Sequence, residues 1–85
     1  MKRRLKLEHD TEADALVIIV QTGEFSYTKE LDATRLLDYD SAGTLLEIEV
    51  LYPSLGVNME GMPLAAEVAE LLSRHGIKVL TVTTP

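Results

Sequence analysis

The stretch from Arg35 to Leu51, RLLDYDSAGTLLEIEVL, constrains this chain most. Its two arms are apolar residues interleaved with polar ones, close to the period of two that marks a β-strand. Between them lies Asp40-Ser41-Ala42-Gly43, with Asp at the first and Gly at the last position of a type I turn. Gly43 can adopt a left-handed conformation, which adds a bulge and closes a three-residue hairpin loop. Such a loop pairs Asp40 with Thr44, Asp38 with Leu46, Leu36 with Ile48 and Arg35 with Glu49. Paired residues share a face. Asp38 and Asp40 then point away from Glu47 and Glu49, and Arg35 forms an ion pair with Glu49. A four-residue loop would slip the register by one and collect all four acids on one face; Gly43 favours the shorter loop.

The same residues partly match the calcium loop of EF-hands, with Asp38, Asp40, Gly43 and Glu49 at the first, third, sixth and twelfth positions. Ala42 stands where an oxygen ligand is required. The flanks have the pattern of strands rather than helices. The hairpin explains these residues with fewer assumptions.

The rest of the chain extends this sheet and then covers it. Arg4 to His9 has the alternation of a first strand, and Asp10 to Asp14 carries turn chemistry. Ala15 to Val20 is an uninterrupted apolar run, which predicts a central strand covered on both faces, one of them by a partner subunit. Ser26 to Leu31 suits an edge strand. Residues 52–62 are irregular, punctuated by Pro53, Gly56 and Gly61. A helix is predicted over 63–75, with Pro63 at its start and Leu64, Val68, Leu71 and Leu72 in one stripe. His75 and Gly76 suit its C-terminal end. Residues 77–83 form a final, β-branched strand. The expected fold is thus a single α+β domain over residues 1–85. It has a small, mainly antiparallel sheet, a meander of four strands over 1–51 plus a C-terminal strand, with one amphipathic helix on one face.

Composition narrows the function. A content of 46% hydrophobic residues is ample for a globular core. The net charge of −6 makes nucleic acid a poor partner, because phosphate backbones attract basic surfaces; the basic residues Lys2, Arg3, Arg4 and Lys6 suit a solvated strand end. The absence of cysteine removes disulfides, thiolate metal sites and a cysteine nucleophile. No apolar run is long enough to span a membrane, and no apolar segment follows the basic N-terminus as in a signal peptide. The cytoplasm is the expected compartment.

A meander would place the loop after the first strand at the same end of the sheet as the hairpin turn. That end would collect Asp10, Glu12, Asp14, Asp38 and Asp40. Such a rim, with Asp10, Asp14, Asp38 and Asp40 as its candidates, could bind a divalent cation of the magnesium or calcium type or a basic partner, or serve a small enzyme. Zinc does not suit it, since only His9 and His75 offer nitrogen ligands. Against this stands local capping by each acid. No Ser–His–acid arrangement and no phosphate loop is present, and no cofactor is implied. The favoured expectation is a non-enzymatic interaction protein that forms a homo-oligomer, a dimer, or binds a basic protein partner.

Several of these residues also carry a resemblance. His9-Asp10, Glu12-Ala13-Asp14-Ala15-Leu16, Leu37-Asp38-Tyr39-Asp40 with Gly43, and Ile48-Glu49-Val50-Leu51 resemble domain-of-unknown-function family 2283 over roughly residues 5–51. Glu47 stands where that family often has Gly, and Ala42 where it often has Asp. The resemblance implies a small antiparallel sheet with a helix and no assigned activity. Similar proteins often appear beside small toxin-like proteins, which implies an antitoxin-like role for the group.

Overall fold

The computed structural model describes residues 4–80. Five strands form one antiparallel sheet: β1 (Lys6–Asp10), β2 (Ala15–Ile19), β3 (Tyr27–Asp32), β4 (Arg35–Tyr39) and β5 (Leu45–Leu51). A short β6 (Val57–Asn58), the helix α1 (Ala65–Arg74) and β7 (Val79–Leu80) follow. The protein is therefore α+β, with a mainly antiparallel sheet and one helix.

Strand order differs from a simple meander. The sheet runs β1-β2-β5-β4-β3. β3, β4 and β5 are joined by hairpins, and β2 lies beside β5, the order of a Greek key. The connection from β2 to β3 crosses the end of the β4–β5 hairpin, where Val20 and Gln21 N–H groups donate to the Leu46 carbonyl and Ser26 N–H donates to the Tyr39 carbonyl. β5 is thus the central strand, not β2. Its length and its alternation, with Leu46, Ile48 and Val50 buried, suit it to that place.

One face of the sheet carries the core. Leu16, Ile18 and Val20 of the β2 segment, Leu37, Ile48 and Val50 pack with Val57, Met62, Val68, Leu71, Leu72 and Ile77. The helix contributes Val68, Leu71 and Leu72 as expected, while Leu64 is partly buried against the same cluster. Each fully buried Leu or Val contributes about 1.5–3 kcal/mol. The helix ends in a Schellman arrangement. Gly76, at φ +72°, donates to the Ser73 carbonyl, and Ile77 N–H donates to the Leu72 carbonyl. Ile77 and Leu72 both enter the core, so the cap and the packing agree.

The C-terminal strand does not join the main sheet. β7 pairs in parallel with β6, outside it; the part of the expected strand over 81–83 lies outside the described residues. Gly56 makes this pairing feasible. Its φ is +96°, and a Cβ there would lie 2.7 Å from a Leu80 methyl. Arg35 ties the same region to the sheet. It is buried, donates to Asp32 at 3.0 and 2.7 Å, and donates to the carbonyls of Asn58 and Glu60. This corrects the expected Arg35–Glu49 pair: Arg35 lies on the core side, opposite Val50.

Candidate functional site

The expected acidic rim does not form. β2 and β5 are antiparallel, with Ala15 opposite Leu51, and β4 begins opposite the same end of β5, with Arg35 opposite Val50. The β1–β2 turn therefore sits at one end of the sheet and the Asp40–Gly43 turn at the other. Asp10 and Asp14 are separated from Asp38 and Asp40 by the length of the sheet.

Two of these four acids serve their own turns. Asp10 Oδ1 accepts from the N–H groups of Glu12 and Ala13 at 3.1 and 3.0 Å. Asp40 Oδ1 accepts from Ala42 and Thr44 N–H at 3.0 and 2.8 Å. Asp14 is a clamp. Its oxygens accept from Ser54 N–H at 3.1 Å and Ser54 Oγ at 2.5 Å, and its own carbonyl accepts from Tyr52 N–H. Asp14 and Tyr52 both have positive φ, 51° and 56°, a conformation that non-glycine residues hold only when their surroundings fix it. The two mutually bonded segments supply that restraint. A cleft of about 420 Å³ beside the clamp is lined by His9, Thr11, Asp14, Ser54 and Lys78. Among the described residues, no buried side-chain polar atom lacks a partner.

Asp38 is different. It is 4% exposed, and Thr28 Oγ1 donates to its Oδ1 at 2.6 Å. The hairpin turn closes as expected, with Gly43 at φ +82° and Asp40 N–H donating to the Thr44 carbonyl. Tyr39 accordingly pairs with Leu45. One residue further the register shifts, and Asp38 pairs with Glu47 rather than Leu46. Leu46 is the extra residue of a bulge, and its carbonyl is the one that accepts from Val20 and Gln21. Every pair beyond it slips by one, so Leu36 opposes Glu49 and Leu37 opposes Ile48. The expectation that Asp38 points away from Glu47 and Glu49 is thereby overturned.

The result is a second sheet face with its own pattern. One cross-strand row reads Lys6, Ile19, Glu47, Asp38, Thr28. The next reads Glu8, Val17, Glu49, Leu36, Glu30. Helix α1 and β7 pack with the opposite face, and among the described residues no second layer covers this one. Val17, Ile19 and Leu36 are half-buried here, and Leu51 is exposed nearby. Among the described residues β2 therefore has a single cover within the chain, the core layer on its other face.

The electrostatics of this face are unbalanced. The Glu49 carboxyl is pushed up to about 7 by its hydrogen bond with Asp38, by burial and by the charges of Asp38 and Glu47. On the far side of the sheet Asp32 is held down at about 2, chiefly by its hydrogen bonds from Arg35 and Thr34. Arg35 is consumed there and does not offset the acids of the open face. Among the described residues no group of three His, Asp or Glu side chains is arranged to hold a metal ion.

Sequence reasoning missed two residues. Leu46 had a signal: Leu45-Leu46 breaks the alternation directly after the turn, as a bulge does. The burial of Arg35 had none, because its acceptors are carbonyls more than twenty residues away.

The fold and this face define a class: small α+β proteins with a Greek-key sheet, one side packed and the other open and acidic. Within it, the chain belongs to a family described as protein of unknown function (DUF2283), whose model matches residues 6–54. The match spans all five strands of the main sheet and ends before the helix. Comparisons with curated proteins and with solved structures return no match. No helix among the described residues is long and apolar enough to cross a membrane.

Proposed function

We propose that this protein is a non-enzymatic interaction module that binds a basic protein partner through the open face of its sheet. The observation that carries this reading is the composition of that face. Val17, Ile19 and Leu36 lie among Glu8, Glu30, Asp38, Glu47 and Glu49, with Lys6 as the one basic residue in the two rows. Apolar side chains supply contact area, and the acids select a cationic partner and speed its approach. The acidic net charge of −6 acts in the same direction. An antitoxin-like role, with a small basic protein as the ligand, is one form of this reading. The cytoplasm is its natural setting for a chain without cysteine.

Self-association through the same face is the second reading, favoured by the half-buried Val17 and Ile19 on β2. It sets the carboxylates of one copy against those of another, which makes the cationic partner the better fit.

The test uses a short labelled peptide of alternating lysine and valine beside a glutamate–valine counterpart. Fluorescence anisotropy should show binding of the first only, weakening as salt is raised. Equal binding of both peptides, or of neither, contradicts the reading. Sedimentation of the protein alone separates the second reading: a monomer excludes it, and a dimer dispersed by Val17→Lys supports it.

A further inference from the structure

We propose that β1 pairs edge to edge with β1 of a second copy of this chain, antiparallel and centred on Leu7, so that two chains share one continuous sheet. This inference stands apart from the docking role above. It uses the edge of the sheet and leaves the open face free for a partner.

β1 ends the sheet, with β2 on one side and, among the described residues, no strand on the other. Its outward N–H and C=O groups are a template for another strand. Edge strands are commonly blunted by bulges or by charge. β3, the opposite edge, is bulged between Glu30 and Asp32. β1 keeps a regular register with β2 from Lys6 to Asp10. It does carry charge, but the charge is arranged to fit itself.

In an antiparallel pair, opposite residues share a face, so a two-fold axis sets one residue opposite its own copy. With Leu7 on that axis, Lys6 faces the partner's Glu8 and Glu8 faces the partner's Lys6. One pair further along, Arg4 meets the partner's Asp10. Every charged pair in this row is of opposite sign. Lys6 and Glu8 are exposed and form no salt bridge among the described residues. On the other side of the sheet Leu7 meets the partner's Leu7, and Leu5 meets the partner's His9. Leu5 and Leu7 are half-buried and already pack against the core cluster, so this pairing carries the apolar layer across the axis. Other centres fail. Lys6 or Glu8 on the axis would oppose its own charge, and His9 on the axis would set Glu8 against the partner's Asp10, which is destabilising. No centre within β3 pairs opposite charges, and Leu31 on the axis would set Glu30 against the partner's Asp32.

The ladder is short, so the interface is small and the dimer should dissociate in the micromolar range. Sedimentation velocity from low to high micromolar concentration should show a monomer–dimer equilibrium that weakens with salt. Lys6→Glu sets carboxylates face to face and Glu8→Lys sets ammonium groups face to face. Each alone should weaken the dimer by about tenfold or more. Mixed in equal amounts, the two variants should associate with each other, because each mismatch is matched across the axis. The double variant Lys6→Glu/Glu8→Lys should dimerise as the wild type does, and Val17→Lys on the open face should leave the dimer intact. A wild type that stays monomeric, single variants that dimerise like the wild type, or a mixture that stays monomeric would each overturn the pairing. None of these outcomes bears on the lysine–valine peptide, whose binding tests the docking role separately.

Discussion

Replacing Glu49 by Gln should stabilise the folded protein in mild alkali and leave it unchanged in mild acid. In the fold the Glu49 carboxyl titrates at about 7, raised from an ordinary 4.5. A raised carboxyl contributes stability that is complete below its unfolded value and is lost as pH rises through the folded value. At about pH 5 the wild type carries the proton and differs little from the variant. At about pH 8 the wild type holds an ionised Glu49 against Asp38 and Glu47, and the variant does not. The full rise corresponds to roughly 3.5 kcal/mol at about 1.4 kcal/mol per pH unit. Solvent screening at this half-buried strand position reduces it to about 1–2 kcal/mol. For a domain of this size that is a gain in Tm of roughly 5–10 °C. Thermal melts of both proteins, followed by circular dichroism in steps from about pH 5 to about pH 8, give the difference directly. A difference in Tm that stays flat across this range would refute the coupling of Glu49 to its neighbours.

Other substitutions probe the fold that holds the face in place. Arg35→Met should cost about 2–4 kcal/mol in denaturant unfolding, because it strands the Asn58 and Glu60 carbonyls and removes the partner of Asp32. Asp14→Ala should cost about 1–3 kcal/mol by losing both bonds to Ser54 at a strained backbone position, and Ser54→Ala should cost less. Gly56→Ala should destabilise by more than about 1 kcal/mol, with amide exchange speeding first at β6 and β7, since its φ and the Leu80 side chain both oppose a Cβ.

What was legible in the sequence was local. The Gly43 turn, the Gly76 cap and the stripe of Val68, Leu71 and Leu72 each depend on neighbours within a few residues, and each formed as the residue types dictate. The partner of β2 was not legible in this way, because an apolar run names a buried strand without naming what it pairs with. Placing β5 rather than β4 beside it reversed the end at which the hairpin turn lies, and the rim of Asp10, Asp14, Asp38 and Asp40 dissolved. The bulge had the opposite effect. One extra residue, Leu46, turned Glu47 and Glu49 toward Asp38 and created an acid pair that the turn alone would have kept apart. The period of two makes a sheet this sensitive to a single insertion.

The docking role of the open face is tested most directly by amide NMR mapping of the labelled protein as the lysine–valine peptide is added. Shifts should concentrate on Val17, Ile19, Leu36, Asp38, Glu47 and Glu49, and should fade in Glu47→Lys. Shifts confined to helix α1 and residues 57–62, with the open face silent, would contradict it.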